Sequence, residues 1–454
     1  MRDLAGIVKA YDIRGVVPDE LDESIARAVG RAAVDVLDVV GGVGAVVVGH
    51  DMRPSSEPLA QAFAEGVTSR GADVVHIGLA STDQLYFASG HLGMPGAMFT
   101  ASHNPAQYNG IKLCRAGAAP VGQDSGLAEI RRLAEADSFP VAARGGAVEH
   151  RDVLDDYAAF LRDLVDLAGI RPLTVVVDAA NGMAGHTVPT VLSVGGLTVV
   201  PMYFELDGSF PHHEANPIDP ANLRDLQSAV VDRGADLGLA FDGDADRCFV
   251  VDERGEPVSP STLTALIAVR ELARAPGAPV VHNLITSRSV AEIVREHGGQ
   301  PVRTRVGHSF IKQTMAETGA VFGGEHSGHF YFRDFWRADS GMLAALHTLA
   351  ALGGEPAGTS LSSMLAPYER YVSSGEINTK VADQATTMAA VEDAFAGRAG
   401  VTLDHLDGLT VDHPDWWFNL RASNTEPLLR LNAEASDRTT METVRDEVLG
   451  IVAG

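Results

Sequence analysis

Through most of the chain, short apolar runs alternate with stretches whose apolar residues recur at helical spacing, the pattern of βαβ units and largely parallel sheets. Ala45-Val46-Val47-Val48 is a continuous apolar run and predicts a buried strand. A helix is predicted around Glu57–Ser69, then strands at Asp73–Ile77 and Ala97–Thr100. The rhythm restarts at Leu173–Val177 and continues with strands at Leu197–Pro201, Leu237–Phe241 and Phe249–Asp252. It begins a third time after Pro260, with helices at Leu263–Leu272, Ser289–His297 and Phe310–Thr318. Strands Pro279–Asn283 and Pro301–Arg305 and the segment Ala320–Gly324 belong to this third set.

The C-terminal stretch reads differently. Strands at Tyr371–Asn378, Trp416–Arg421 and Leu428–Ala433 surround helices at Thr386–Phe395 and Thr440–Ile451, the pattern of a small α+β domain with antiparallel strands. A chain of 454 residues exceeds the ~250–300 residues at which single cores stop growing. The expected organisation is therefore three related α/β domains, residues 1–150, 151–258 and 259–366, with mixed, mostly parallel sheets, and a smaller α+β domain over 367–454.

Composition narrows the partners. Sixty acidic residues against 35 Lys and Arg give a formal charge of −25. That argues against nucleic acid, whose binding rests on phosphate neutralisation, and against an anionic membrane surface. The N-terminal residues Met1–Ile7 carry no signal-peptide pattern, and no run of apolar residues is long enough to span a bilayer. Cys114 and Cys248 lie far apart with no metal or redox spacing. A cytoplasmic protein with buried free thiols is expected, as a monomer or weak homo-oligomer. An acidic protein still binds a small phosphate where its few cations converge.

Several loops carry candidate chemistry. Thr100-Ala101-Ser102-His103-Asn104-Pro105 follows a predicted strand, where α/β folds place ligand sites. Ser102 there could be a nucleophile or carry a covalent phosphoryl group; a plain polar turn has the same composition. Asp242-Gly243-Asp244-Ala245-Asp246-Arg247 sets three carboxylates at alternate positions between two strands. Such acids can converge on one hard cation. A calcium loop of the helix–loop–helix type is excluded, because its sixth position is Arg247 rather than glycine and the flanks are strands. Magnesium, held by carboxylates and phosphate oxygens, suits Arg247 better.

Arg421-Ala422-Ser423-Asn424-Thr425-Glu426-Pro427-Leu428-Leu429-Arg430 places two guanidinium groups around a hydroxyl-rich loop, a phosphate-binding composition. Gly324-Glu325-His326-Ser327-Gly328-His329 sets a carboxylate and a hydroxyl between glycines, which can approach a polyol closely or form an ordinary turn. Arg14 in Tyr11–Gly15, Lys112 in Asn109–Lys112, and His308 with Lys312 in Val306–Lys312 are further candidates. The pair Trp416-Trp417 is expected to pack within the last domain.

In this order the motifs resemble those of the α-D-phosphohexomutase superfamily, and most of all its bacterial phosphomannomutase/phosphoglucomutase branch, over essentially the whole chain. The resemblance implies four domains around a central cleft. It implies that Ser102 is a phosphoserine and that Asp242, Asp244 and Asp246 hold Mg²⁺ together with it. It implies that Glu325, Ser327 and His329 grip sugar hydroxyls, and that Arg421, Ser423, Asn424, Thr425 and Arg430 clamp the phosphate that does not react. Arg14, His103, Lys112 and Arg247 would surround the reacting phosphate, with Lys112 or His308 as general base. The chain departs from the pattern where Ala245 replaces a frequent glycine. It departs again near the end of strand Pro279–Asn283, where Arg288 is the nearest cation to a lysine found in relatives.

The implied reaction interconverts hexose 1-phosphate and hexose 6-phosphate through a hexose 1,6-bisphosphate, which also serves as activator. The rivals are a phosphoglucosamine mutase, a catalytically silent sugar-phosphate sensor and a metal-dependent phosphatase. His326 and Asn424 favour mannose or glucose over glucosamine by family resemblance. Retention of Ser102 with all three aspartates argues against a sensor.

Overall fold

The computed structural model describes residues 3–140, 142–423 and 427–453. It forms two compact units, residues 1–259 with 327–364, and residues 260–326 with 365–454.

The first unit is built on two sheets. One has the strand order Ile13–Val16, Tyr108–Arg115, Gly96–Phe99, Ala45–His50, Asp73–Leu79, Val148–His150. Its central pairs are parallel, but Tyr108–Arg115 runs antiparallel to both of its neighbours in that order. The other has the order Pro257–Val258, Cys248–Asp252, Leu237–Phe241, Leu173–Asp178, Leu197–Met202. Here too the parallel set gives way to an antiparallel pair, at Leu237–Phe241 against Cys248–Asp252. The Ser102 loop joins the strands at the first switch and the aspartate loop joins those at the second. Each loop thus leaves the C-terminal end of a parallel strand and returns at once, so its side chains are held between two fixed strand ends.

Burial explains the strand assignments. All six residues of Ala45–His50 and all five of Leu237–Phe241 are buried, as continuous apolar runs in parallel sheets require. Helix Glu23–Val36 lies against helix Ser56–Ser69 at very short range. A Cβ on Gly30 would come within 2.3 Å of the Phe63 carbonyl oxygen, so only glycine allows that approach. The helix Gly341–Gly354, apolar nearly all round, is buried along almost its whole length. Strands Phe330–Phe332 and Ala338–Asp339 pair antiparallel before it.

In the second unit, Pro279–Asn283 lies between Gln300–Thr304 and Phe322–Gly324, all parallel. The C-terminal sheet is wholly antiparallel, in the order Val372–Lys380, Leu428–Ala435, Trp416–Ala422, Leu409–His413, Thr402–Asp404. Helices Gln384–Phe395 and Arg438–Ala453 cover one apolar cluster of this sheet. Trp416 packs edge-on against Phe395, and Trp417 Nε1 donates to Glu434 Oε1 at 2.8 Å. Cys114 and Cys248 are buried free thiols. Among the described residues no helix is long and apolar enough to cross a membrane.

Candidate active site

The geometry of the first unit begins at Ser102, which adopts a left-handed backbone with φ 49°. A non-glycine residue pays about 1–2 kcal/mol for that conformation. Thr100 supports it by accepting from the Ser102 amide at 2.9 Å. The Ser102 hydroxyl donates to Asp242 Oδ2 at 2.7 Å, and Arg247 Nη2 donates back to it at 3.2 Å. His103 Nδ1 is 3.2 Å away and also meets the Arg247 guanidinium. That guanidinium, then burial and Arg14, drive the His103 pKa down to about 2, so the ring is neutral. Arg14 donates to Asn104 Oδ1 at 2.6 Å and pairs with Asp12.

The aspartate loop lies directly on Ser102. A Cβ at Gly243 would come within 2.5 Å of the Ser102 carbonyl oxygen, so this position must be glycine for the two loops to touch. Ala245, where a glycine is frequent among proteins of the resembled family, also has a left-handed φ of 59°. Asp242, Asp244 and Asp246 are all buried, and one oxygen of each lies within 4.8 Å of the others.

Their two oxygens are used unequally. Asp244 Oδ2 accepts from Lys112 Nζ at 2.7 Å and Thr82 Oγ1 at 2.6 Å, and Asp246 Oδ2 accepts from the same ammonium at 2.7 Å. Asp244 Oδ1 and Asp246 Oδ1 are buried and have no hydrogen-bond partner. Two buried carboxylate oxygens without a hydrogen bond, beside a third carboxylate, suit a hard divalent cation such as Mg²⁺.

Charge coupling sets the protonation states. Burial first, then Asp246 and Asp244, push the Asp242 pKa far up. Asp244 stays below the usual carboxylate range because Lys112, with the Thr82 hydroxyl and Arg247, outweighs its burial. Lys112 is partly buried, yet the two aspartates raise it well above the usual lysine value. In this arrangement it is a cation rather than a base. His329 Nε2 lies 3.6 Å from Asp246 Oδ1 and its Nδ1 2.9 Å from Ser327 Oγ. Its backbone pairs with that of Arg247.

In the second unit, Glu325 is buried and accepts from Asn283 Nδ2 at 3.2 Å. His308 opens the helix His308–Thr318, with Lys312 buried one turn on. Arg421 and Arg430 face each other across an antiparallel pair. Like charges in that position repel, and Glu376 bridges them at 3.3 and 3.0 Å. Ser423 follows Arg421, its amide donating to the Leu428 carbonyl at 3.0 Å. Asn424 and Thr425 lie outside the described residues.

Arg288 is not available as a substitute sugar-site cation. Its guanidinium donates to the carbonyls of His413 and Pro414, both at 2.8 Å, and pairs with Asp412, while its amide donates to Glu434 Oε1 at 3.0 Å.

Three contributors lie outside the sequence motifs. Arg53 is fully buried and donates to the carbonyls of Ser102, Asn104, Pro105 and Tyr108 at 2.6 to 3.0 Å. Thr82 holds Asp244, and Glu376 holds the paired arginines. Only Arg53 had a local signal, since Asp51-Met52-Arg53 sets opposite charges just past a wholly buried strand.

Phosphoglucomutase/phosphomannomutase family models match almost the entire chain. The α/β/α domain I model matches residues 5–140, domain II residues 155–255, domain III residues 259–371, and the C-terminal domain model residues 376–451. A phosphomannomutase from Escherichia coli is 41% identical over 455 residues, with 98% of each chain covered. A protein of Xanthomonas campestris named phosphohexose mutases is 42% identical over 449 residues, covering 98% of this chain and 99% of its own. Among solved structures, a phosphoglucomutase/phosphomannomutase family protein from Burkholderia thailandensis superposes with a TM-score of 0.90 at 33% identity, covering 99% of this chain and 97% of that one.

Proposed function

Because the chain belongs to the phosphoglucomutase/phosphomannomutase family and is a hexose-phosphate mutase, we propose that Ser102 carries the phosphoryl group it transfers between hexose 1-phosphate and hexose 6-phosphate. The observation that carries this reading is the Ser102 hydroxyl, 2.7 Å from Asp242 and 3.2 Å from Arg247, on a loop held in a left-handed turn.

In the forward step the free sugar hydroxyl attacks phosphorus on phosphorylated Ser102. The new O–P bond forms as the Ser102 Oγ–P bond breaks, and the electron pair returns to Oγ. The proton leaving the attacking hydroxyl is the one the departing Ser102 Oγ takes up, with no net gain or loss, and the product is hexose 1,6-bisphosphate. Turned end for end, that intermediate returns its other phosphoryl group to Ser102. Arg247 and Arg14 balance charge on the transferring group while neutral His103 leaves room for it; positioning and electrostatics dominate such transfers. Asp242, Asp244 and Asp246 would hold Mg²⁺, which would supply Lewis-acid neutralisation of that charge.

A ligand with a phosphate at each end needs two anion-recognising sets. Arg421, Ser423 and Arg430, with Asn424 and Thr425, take the phosphate that does not react; Glu325, Ser327 and His329 take sugar hydroxyls. The names of the curated relatives favour mannose and glucose phosphates as substrates. The formal charge of −25 argues against nucleic acid and an anionic membrane surface as partners, and the same reading places the enzyme's action on small sugar phosphates in the cytoplasm.

The test is kcat/KM for mannose, glucose and glucosamine 1-phosphates with Mg²⁺ and a trace of hexose 1,6-bisphosphate. Turnover of the mannose or glucose substrate, absent in Ser102→Ala, is expected. Dominant glucosamine turnover would make it a phosphoglucosamine mutase, and release of inorganic phosphate would make it a phosphatase. No turnover by a phosphorylated, metal-loaded preparation would favour the sensor.

A further inference from the structure

Helix Thr82–Leu92 begins in an unusual network. Ser81 caps it, accepting from the Gln84 amide at 3.2 Å. Asp83, wholly buried in the first turn, accepts from Tyr157 Oη at 2.7 Å and Ser340 Oγ at 2.6 Å, and also from Ser81 Oγ. These contacts fix the start of the helix to two other segments of the same unit. Between them stands Thr82, fully buried. Its amide donates to the Asp244 carbonyl at 2.9 Å and its hydroxyl to Asp244 Oδ2 at 2.6 Å. One residue therefore grips both the backbone and the side chain of the central aspartate.

Were this grip only a way of satisfying a buried carboxylate, both oxygens would have partners, since a buried acceptor left unpaired costs about 1–3 kcal/mol. Asp244 Oδ1 has none, while Oδ2 has two. The second of those two donors, Lys112, is a cation shared with Asp246, and a metal ion arriving at the loop repels it. The Thr82 hydroxyl is neutral and tolerates that ion. Outer partners of ligating carboxylates orient the ligand, and losing one costs roughly 10–100-fold in metal affinity.

We propose that Thr82 is a positioning residue that locks Asp244 with Oδ1 turned toward the divalent cation. This rests on the reading of the aspartate loop as the metal site. Thr82 does not touch the reacting groups; it acts through Asp244.

The experiment measures Mg²⁺ and Mn²⁺ dissociation constants by calorimetry on the full-length, dephosphorylated protein, beside its melting temperature in EDTA. Thr82→Val, which removes the hydroxyl and keeps the volume, is expected to weaken the metal by about 10-fold or more. Thr82→Ser, which restores the hydroxyl, is expected to bind within about threefold of wild type. Thr82→Val binding as tightly as wild type would overturn the proposal and leave the metal-site reading intact. Failure of wild type to bind either ion would overturn both. Should Thr82→Val not fold, Thr82→Cys takes its place, with weakened metal expected and unchanged affinity again fatal.

Discussion

Arg53 Nη2 donates to the carbonyl oxygen of Ser102 at 2.9 Å, from a guanidinium that water does not reach. The same group holds three further carbonyls of the loop and pairs with equally buried Asp51 at 3.3 Å. The Ser102 loop is therefore organised from beneath, through its backbone, by a cation that does not touch the Ser102 hydroxyl.

Arg53→Lys keeps the charge but loses the planar fork that reaches four carbonyls. We expect kcat to fall by about 10- to 100-fold with little change in KM, because a misaligned nucleophile affects transfer rather than binding. Steady-state kinetics, together with the rate of Ser102 phosphorylation by hexose 1,6-bisphosphate, checks this. A raised KM with unchanged kcat would contradict it.

Lys112 neutralises Asp244 and Asp246 when no metal is bound. Lys112→Met leaves two buried carboxylates with Arg247 alone to offset them, and breaking a buried ion pair costs up to roughly 3–5 kcal/mol. The variant should melt well below wild type in EDTA and recover more than wild type on adding Mg²⁺. Equal Mg²⁺-induced shifts in melting temperature would count against this role.

On the proposed reading Arg421→Ala removes a charge-assisted bond to the distal phosphate, and such bonds are worth about 1.5–3 kcal/mol. KM for hexose 1-phosphate should rise by about 10- to 100-fold. Glu376→Gln has a different signature: the facing arginines repel without the carboxylate between them. Its melting temperature should drop in phosphate-free buffer and recover as inorganic phosphate is added.

His76 lies between the tilted rings of His50 and His150 on neighbouring strands, with ring centroids 5.7 and 5.3 Å away. Burial, then those two rings, lower its pKa from 6.5 to about 4, with Glu57 opposing weakly. The unfolded chain takes up a proton as pH falls through 6.5, and the folded chain resists until about 4. Stability from this residue is therefore complete above pH 6.5 and lost as pH falls toward 4. His76→Gln should reduce the loss of melting temperature between pH 7 and 4.5. An identical acid profile would exclude His76 as its source.

The departure at Arg288 shows where motif reasoning stops. As a cation near the end of a strand it looks like a ligand for sugar or phosphate. Its environment instead offers carbonyls at 413 and 414 and carboxylates at 412 and 434, more than a hundred residues away in sequence.

Element identity was legible because hydrophobic periodicity is local. The runs Leu237–Phe241 and Pro279–Asn283 are strands over those same residues, and the three aspartates stand out by spacing, whereas Ser102 and the facing arginines gained weight only from the order of the motifs along the chain. Which carboxylate oxygen stays open, and what holds each loop, were decided only by folding. Thr82 meets Asp244 across 162 residues, Arg53 meets Ser102 across 49, and Glu376 meets Arg421 across 45. No periodicity encodes such pairs: the first two gather at loops where sheets switch from parallel to antiparallel, the third crosses the antiparallel C-terminal sheet, and burial makes an unpaired polar atom costly enough to select its partner.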